Sequence, residues 1–363
     1  MTGRPWRVGL VGCGAIVWPH LEHLGRLAAD RRVEVVGVCD RSLATARFTA
    51  ERAGIAIACT DVDELLERCR PDVVHVLTPP HTHEAVSVHC LGAGAHVLCE
   101  KPAAPDREAL ERVLTAAVAA DRRFIESQNL RWNDPIVAID SALARGELGE
   151  VRDIDLLLTL DLAGGPLGSP GLEGPAVRLP GGAVHDLLPH LVYLFMHLAG
   201  PEIERRAAER PGMLDVVGRL RNVSGNERLG FDQLDALIDT PPTRGRIRVV
   251  GDLRPEGFRV VVRGTRGTVE TDLYHPYLRT ERGSATGLRS ATTPIAGGAR
   301  LAWSGVTGLL DKVRRHDVFH GLGRLLDGWY ACLGLDGDAP VTPEMMRATA
   351  SLTDQLIALR STP

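Results

Sequence analysis

The sequence predicts a doubly wound α/β domain followed by an α+β domain. Up to about residue 128, short runs rich in Val and Leu alternate with helical segments, which is typical of a parallel sheet covered on both faces. A glycine-rich turn, Gly12-Cys13-Gly14, directly follows the first run. After Asp134-Pro135 the alternation stops, and short turns join strand-like runs. The 363 residues suffice for two domains, which we place at 1–130 and 131–363.

The first domain is predicted from near-continuous apolar runs separated by helical patterns. Strands are expected at residues 7–11, 33–39, 72–77 and 95–99. Helices are expected between and after them, at residues 15–29, 42–53, 63–68 and 83–91.

The second domain begins with a predicted helix at 135–145 and a strand at 151–160. The Gly/Pro-rich stretch from Ala163 to Gly182 is expected to be a mobile loop near the ligand. Runs at 245–252, 257–264 and 267–273 are joined by short turns, which predicts neighbouring antiparallel strands. Helices are expected at 318–333 and 343–360.

Composition excludes several classes of protein. With 44% hydrophobic residues and 24% charged residues, the chain is globular rather than disordered. The net charge of -4 and the lack of a basic block argue against a nucleic-acid or anionic-membrane partner. No run approaches the roughly 18 apolar residues of a membrane span, and the N-terminus lacks signal-peptide organisation. A small molecule is the expected partner.

The seven cysteines are predicted to be small buried hydrophobic residues. Six fall in the first hundred residues and none forms a CxxC pair, so no metal or redox site is expected and a reduced cytoplasmic setting follows. His81, His83 and Cys90 could suggest zinc, but the chain has no HExxH motif or clustered cysteine framework.

The glycine-rich turn is the first candidate site. Gly12 permits a tight turn, and Gly14 lets a pyrophosphate approach the N-terminus of the following helix. Asp40 ends the second strand, where it can accept hydrogen bonds from an adenosine ribose. Asp40 would repel a 2′-phosphate whereas Arg41 could accept one, so NAD is predicted and NADP stays possible. Val17, in place of the third glycine, departs from the fingerprint.

Lys101 is the most unusual residue of the composition. Of the 42 lysine and arginine residues, only Lys101 and Lys312 are lysine. Lysine can lose its proton when partly desolvated and arginine cannot, so a site that needs proton exchange or a compact charge excludes arginine. Lys101 follows a buried strand in Glu100-Lys101-Pro102 and is interpreted as functional, whereas Lys312 is interpreted as a solvated surface residue.

Two further clusters of polar residues are candidate sites. The loop Thr78-Pro79-Pro80-His81-Thr82-His83 follows a strand, at the edge where parallel strands meet a ligand. Asp186 and His190 are four residues apart and share one face of a predicted apolar helix, where they form either a site or a satisfied core pair. Pro189 is expected to kink that helix or delay its start, and His197 is interpreted as packing.

These motifs together resemble the Gfo/Idh/MocA oxidoreductase family. The resemblance spans nearly the whole chain except residues 200–240 and 280–320, and single motifs are weak while their order is specific. The residues that carry it include Gly12-Cys13-Gly14-Ala15-Ile16 with His20, Asp40, Thr78-Pro79-Pro80 with His83, Glu100-Lys101-Pro102, Arg131-Trp132-Asn133-Asp134-Pro135, Gly181-Gly182 with Asp186 and His190, and Gly264-Thr265-Arg266-Gly267-Thr268.

The resemblance implies a Rossmann domain and a second domain with a large, mostly antiparallel open sheet used for homodimer or homotetramer contacts. It also implies a nicotinamide cofactor and a polyhydroxylated substrate such as a sugar, a sugar derivative or a cyclitol. In that family the residues matching Lys101, Asp186 and His190 surround the reacting carbon. Residues expected to bind the cofactor are Gly12, Gly14, Ala15, Ile16, Asp40, Arg41, Thr78, Pro79, Pro80, His83, Glu100, Lys101 and Gln128.

Our mechanistic hypothesis is hydride transfer between the nicotinamide and a carbinol carbon. His190 exchanges the hydroxyl proton, Lys101 stabilises the alkoxide and Asp186 orients the imidazole; Lys101 could instead carry the proton. Residues expected to line the substrate cleft are Gln128, Asn129, Arg131 and Trp132, with Tyr274 and His275 as weaker candidates. Two alternatives stay open: an enzyme that oxidises its substrate transiently with tightly bound NAD, and a non-catalytic NAD sensor.

Overall fold

The computed structural model describes residues 4–165, 178–282, 298, 320–334 and 337–360. It divides into two compact units, Met1–Asn129 with Gly321–Ala350, and Leu130–His320 with Ser351–Pro363. The predicted second domain, 131–363, therefore included a segment that packs with the first unit. Most of the Gly/Pro-rich stretch at 163–182, and Lys312, lie outside the described residues.

The first unit is built on a parallel sheet of six strands in the order β3-β2-β1-β4-β5-β6. Every strand pair in it is parallel, as the near-continuous apolar runs predict. The order in which successive strands are added to the sheet reverses between β1 and β4. Doubly wound sheets bind their ligands at this point. The strands are β1 (Trp6–Val11), β2 (Val33–Cys39), β3 (Ala58–Cys59), β4 (Val73–Val76), β5 (His96–Cys99) and β6 (Phe124–Glu126).

The helices of the first unit begin where the sequence supplies caps. Ser42, Asp61 and Asp106 each accept a main-chain N–H of the following first turn, which satisfies donors that a helix start leaves open. The helices are α1 (Val17–Ala29), α2 (Leu43–Ala53), α3 (Val62–Cys69), α4 (His83–Gly92), α5 (Arg107–Ala119) and, near the C-terminus, α9 (His320–Gly334).

The second unit is built on a sheet of seven strands in the order β13-β12-β11-β7-β10-β9-β8. All its strand pairs are antiparallel except β10 with β7, which confirms the mostly antiparallel open sheet. The strands are β7 (Val151–Asp161), β8 (Asp215–Arg221), β9 (Gln233–Thr240), β10 (Thr243–Val250), β11 (Asp252–Gly264), β12 (Gly267–Asp272) and β13 (Arg279–Arg282).

One prediction about this sheet was wrong. The runs that became β10 and β11 were expected to be paired neighbours, but β7 lies between them. Their one-residue connection, Gly251, passes the end of β7, where the N–H of Leu162 donates to its carbonyl at 2.8 Å. A short turn therefore indicates a change of direction, whereas pairing with a strand ninety residues earlier is a tertiary property.

Helices accompany this sheet, and one of them contains a proline. They are α6 (Asp134–Ala144), α7 (Gly182–Ala199) and α8 (Pro201–Glu209), while α10 (Pro343–Ala358) contains the boundary between the two units. Pro189 lies inside α7 and does not delay its start, and the other expected effect, a kink, stays a prediction. Nearly the whole of α7 is buried, and the ring of Phe195 packs directly over Gly245 of β10. Such packing offsets the roughly 3 kcal/mol that an interior proline costs.

Candidate active site

Five of the predicted cofactor positions lie at one edge of the parallel sheet. The glycine loop follows β1, Asp40 follows β2, Thr78 follows β4, Lys101 follows β5 and Gln128 follows β6. Because the strands are parallel, all of these residues leave the carboxyl edge of the sheet, where doubly wound folds bind ligands.

The glycine loop has the geometry that a close ligand requires. Gly12 has a φ of +102°, and a Cβ atom there would lie 2.5 Å from the carbonyl oxygen of Leu77. Beside Gly14, by contrast, a Cβ atom would meet nothing within 4 Å. Gly14 and Ala15 are exposed and Ile16 is half-buried at the start of α1. The loop is therefore packed tightly against β4 on one side and open on the other.

Asp40 is fixed by the main chain on both sides of it. Its Oδ2 accepts the N–H of Cys13 and its Oδ1 accepts the N–H of Ser42, each at 2.9 Å. Each carboxylate oxygen can accept a second hydrogen bond, so the half-buried side chain keeps capacity for a hydroxyl group. Arg41 next to it is exposed.

The proline loop after β4 is held by His83. The His83 ring is buried, with Nδ1 2.7 Å from the carbonyl oxygen of Pro102 and Nε2 2.6 Å from that of Thr78. The imidazole therefore links the loop after β4 to the loop after β5. Pro80 is buried while Pro79 and His81 are exposed. A contact of His83 with the cofactor stays a prediction, and the structure adds this supporting role.

Glu100 and Lys101 form the centre of this edge. The Oε1 of Glu100 lies 3.1 Å from Nε2 of His20, and its Oε2 accepts the main-chain N–H of Lys101 at 3.3 Å. Burial opposes ionisation of Glu100, but the hydrogen bond from His20 and the positive charge of Lys101 outweigh it and lower the pKa of the carboxyl to about 2. The half-buried Lys101, which precedes Pro102 in a cis peptide bond, thus adjoins a fixed carboxylate.

A second buried acid, Glu126, was missed by the sequence analysis. Its Oε1 accepts the N–H of Ala103 and its Oε2 accepts Nε2 of Gln128, each at 2.8 Å. Burial raises the pKa of Glu126, against the opposing effect of those two bonds. The Oε1 of the buried Gln128 has no hydrogen-bond partner among the described residues. An acid at the end of the apolar run Phe124-Ile125 was the available signal.

In the second unit, α7 carries both Asp186 and His190. Both side chains are half-buried, in a helix whose other residues are almost all buried. Nδ1 of His190 lies 2.7 Å from the hydroxyl oxygen of the buried Tyr193, one turn further along, and this hydroxyl also accepts the N–H of Leu130 at 3.1 Å. Tyr193 is a partner that the sequence analysis missed, although its i+3 spacing from His190 was a readable signal.

The predicted substrate residues have mixed environments. Arg131 is buried, and its guanidinium pairs with Glu204 of α8 and donates to the carbonyl of Tyr193. A substrate contact of Arg131 stays a prediction, which this burial disfavours. Trp132 is half-buried, and Asn129 is buried in the first unit. Tyr274, 37% exposed, packs edge-on against Phe258, and His275 is exposed beside it.

The structure also bears on the expectations for His197, the cysteines, a metal site and a membrane span. Nε2 of His197 lies 2.9 Å from a carboxylate oxygen of Asp140, which gives His197 a polar partner within the second unit, and its interpretation as a packing residue stays a prediction. All seven cysteines are buried and free. Within the described ranges, no group of three or more His, Cys, Asp or Glu side chains is arranged to hold a metal, and no helix has the length and apolarity to span a membrane.

Comparison with known proteins gives a consistent picture. Residues 6–127 match the model of an oxidoreductase family with an NAD-binding Rossmann fold. Inositol 2-dehydrogenase 1 of Saccharopolyspora erythraea is 36% identical over 146 residues, which are 40% of this chain and 43% of that protein. The chain thus covers less than half the length of this relative.

A longer match has lower identity. The dTDP-3,4-didehydro-2,6-dideoxy-alpha-D-glucose 3-reductase of Streptomyces violaceoruber is 28% identical over 297 residues, covering 78% of this chain and 80% of that protein. Among solved structures, the WlbA dehydrogenase from Bordetella pertussis in complex with NADH and UDP-GlcNAcA is 19% identical, with a TM-score of 0.75 over 99% of this chain and 96% of that one; it shares the fold. The first unit of the chain therefore matches the NAD-binding Rossmann domain of the Gfo/Idh/MocA oxidoreductase family.

Proposed function

We propose that the protein is a nicotinamide-dependent oxidoreductase that transfers a hydride between the cofactor and a carbinol carbon of a sugar, sugar derivative or cyclitol. The observation that carries the proposal is the edge of the parallel sheet, where Lys101 and the carboxylate of Glu100 share one edge with the glycine loop and Asp40. This edge combines a phosphate-binding turn with a cation suited to an oxygen that gains charge.

The residues at this edge fit a dinucleotide. A side chain at Gly12 would collide with Leu77, whereas the space beside Gly14 is open, so the loop leaves room for a pyrophosphate at the start of α1. Asp40 is held in place and can still accept from ribose hydroxyls, which favours NAD, while the exposed Arg41 leaves NADP possible. When bound, the nicotinamide accepts or supplies the hydride.

Lys101 would stabilise the negative charge that develops on the substrate oxygen. Glu100 accepts the main-chain N–H of Lys101, so the lysine side chain leaves the backbone at a fixed point next to a carboxylate. A compact cation is suited to stabilise an oxygen that gains negative charge. The alternative, in which Lys101 carries the proton, also needs lysine, since arginine does not deprotonate in proteins.

His190 would exchange the hydroxyl proton. The tautomer with hydrogen on Nδ1 donates to Tyr193 and carries the basic lone pair on Nε2, which is the form that general-base catalysis needs. The hydroxyl oxygen of Tyr193 then accepts from both His190 and Leu130. Tyr193 is therefore proposed to orient the imidazole, and the orienting role of Asp186 on the same helix stays part of the proposal.

The proposal is tested by the absorbance of reduced nicotinamide, with NAD and NADP across a panel of polyols and ketosugars. The relatives named above support a polyhydroxylated substrate, being an inositol dehydrogenase and a nucleotide-sugar reductase. Net reduction of free NAD by any of these substrates supports the proposal. Reduction of bound NAD in a single turnover without net release would favour transient oxidation instead, and no change with any substrate would favour a sensor.

We also propose that a second copy of the chain binds the open face of the seven-stranded sheet. Arginine and acidic side chains alternate across this face, as in the pairs of Arg246 with Asp235 and Arg248 with Asp155. Next to them, Leu237 is 52% exposed and its cross-strand neighbour Val217 is 59% exposed. Such a face is complementary to itself in a two-fold dimer. The mass of the protein in solution tests this contact between two copies.

The seven free cysteines favour a reduced, cytoplasmic setting for the protein.

A further inference from the structure

A buried chain of hydrogen bonds runs through the first unit and ends at Glu100. The hydroxyl oxygen of Tyr330 lies 2.8 Å from Nε2 of His75, and Nδ1 of His75 lies 2.9 Å from Nδ1 of His20. Nε2 of His20 in turn lies 3.1 Å from Oε1 of Glu100. His20 and His75 are completely buried and Tyr330 is 3% exposed. The proposed reaction does not by itself require this series of hydrogen bonds.

Four separate elements contribute to it. His20 comes from α1, His75 from β4, Glu100 follows β5, and Tyr330 comes from α9, 255 residues after His75. The rings of His20 and His75 meet edge-on with centroids 5.1 Å apart. Burying these polar groups costs more free energy than burying apolar side chains in their place, unless every polar group has a hydrogen-bond partner.

One placement of the protons gives every donor in this series of hydrogen bonds an acceptor. Glu100 is ionised, so Nε2–H of His20 donates to it and leaves Nδ1 of His20 as an acceptor. His75 then donates from Nδ1 and accepts at Nε2 from the hydroxyl of Tyr330. In the described part of the molecule this hydroxyl has no other acceptor, so the opposite tautomer of His75 would leave a buried donor unpaired. The bonds therefore all point from Tyr330 toward Glu100.

Glu100 connects this series of hydrogen bonds to the main chain of Lys101. One carboxylate oxygen is held by His20, and the other accepts the main-chain N–H of Lys101. The main-chain N–H of Glu100 is itself bonded to the carbonyl of Val76 in β4, at 2.9 Å. With both oxygens engaged, the carboxylate cannot rotate without breaking a bond, and the point where the Lys101 side chain leaves the backbone is fixed.

We propose that His20, His75 and Tyr330 are positioning residues, which hold the carboxylate of Glu100 and through it the position and charge environment of the Lys101 ammonium. None of the three would touch the substrate. The inference rests on the proposed function for its effect on turnover, but the link to Lys101 is a property of the protein alone and is measurable without a substrate.

The protein has only two lysines, which allows a direct test of the link between Tyr330 and Lys101. In a Lys312→Arg background Lys101 is the sole lysine, so lysine labelled with carbon-13 at Cε gives one protein signal in a nuclear magnetic resonance spectrum. Tyr330→Phe, which removes only the terminal hydroxyl, is expected to shift this signal and its titration midpoint. Tyr277→Phe is the matched control, because it removes a hydroxyl bonded to a glutamate, Glu270, in the second unit; it should leave the signal unchanged.

Two further measurements separate hydrogen bonding from packing. Nitrogen-15 spectra of labelled histidine should show His75 protonated on Nδ1 and His20 on Nε2. His20→Gln keeps an N–H donor near Glu100 whereas His20→Leu does not, so glutamine should restore the Lys101 signal toward its wild-type position. If leucine and glutamine act alike, the bond to Glu100 is not what holds the carboxylate.

Turnover gives the functional part of the test. Tyr330→Phe is expected to lower kcat roughly tenfold, the effect of one buried hydrogen bond, with the KM for the nicotinamide cofactor little changed. An unchanged Lys101 signal in Tyr330→Phe would overturn the inference whatever the activity. If the signal shifts but no substrate is ever turned over, the proposed function fails while the link from Tyr330 to Lys101 stands.

Discussion

Two histidine–tyrosine pairs in the described part of the molecule have almost the same hydrogen-bond distance but different surroundings. In the first unit Nε2 of His75 lies 2.8 Å from the hydroxyl of Tyr330, and both residues are buried. In the second unit Nδ1 of His190 lies 2.7 Å from the hydroxyl of Tyr193, but the imidazole is only half-buried. A buried ring can exchange protons only with its fixed partners, whereas a partly exposed ring can offer its second nitrogen to a ligand. Access to the ring, rather than the bond itself, separates a positioning pair from a reactive one.

The largest expected effect comes from the residue that the buried pair is proposed to support. Lys101→Ala should lower turnover by about 10⁴-fold while cofactor binding persists, because the charge opposite the developing alkoxide is lost. The measurement is kcat beside a titration of cofactor binding by fluorescence. Lys101→Arg sharpens the result: partial recovery indicates a fixed charge, and none indicates a proton carrier. Full activity of Lys101→Ala would remove Lys101 from the mechanism.

The reactive pair is tested at its imidazole. His190→Ala should lower turnover by about 10³-fold, in the usual range for loss of a general base, with cofactor affinity unchanged. His197→Ala is the matched control, since His197 lies on the same helix and bonds to Asp140 instead. Equal losses in the two variants would show that the effect arises from the helix and not from proton exchange.

Removing the hydroxyl from the reactive pair should have a smaller effect. Tyr193→Phe leaves the imidazole in place without the group that orients its Nδ1, so kcat should fall roughly tenfold. The acidic limb of the kcat–pH profile should shift as well, because the hydroxyl no longer contacts the ring. A wild-type pH profile in Tyr193→Phe would contradict the pairing described here.

The smallest effect concerns stability and the buried pair. Burial, and to a lesser degree the neighbouring His20, hold the pKa of His75 well below 6.5 in the folded protein. The unfolded chain therefore takes up a proton that the folded chain does not, and stability falls as the pH drops below about 6.5, by about 1 kcal/mol per pH unit. Glu100 adds nothing in this window, because its stabilising contribution is lost only below about pH 4.5. Urea unfolding at pH 7.5 and 5.5 should show a smaller change in His75→Gln than in the wild type.

The sequence predicted the parallel sheet more fully than the second sheet, for a physical reason. In the first unit each of the strands β1 to β5 is followed by a helix, so apolar runs and glycine turns indicate the order of the elements along the chain. In the second unit β7 pairs with β10 and β11, which follow it by some ninety residues. Turn signals between β10 and β11 are local and do not encode the strand that separates them.

The candidate site divides in the same way. Sequence patterns located the strand ends that carry the glycine loop, Asp40 and Lys101. The four-residue spacing of Asp186 and His190 likewise predicted that both lie on one face of α7. The partners of these residues were not predicted. A histidine within the apolar run Val73-Val74-His75-Val76 did indicate a buried polar group that needs a partner, but nothing near it in sequence identified Tyr330.

The sequence by itself determined the residue types and their local order: a turn that needs glycine, an acid at the end of β2, and a lysine kept where forty other basic positions are arginine. The tertiary structure decided what surrounds them. Ionisation of Glu100 depends on His20 of α1 and on Lys101, and the neutrality of His75 depends on its burial and on His20. Burial makes these groups sensitive to each neighbour, since charge is poorly screened in an interior, and His20 comes from an element that is distant from both along the chain.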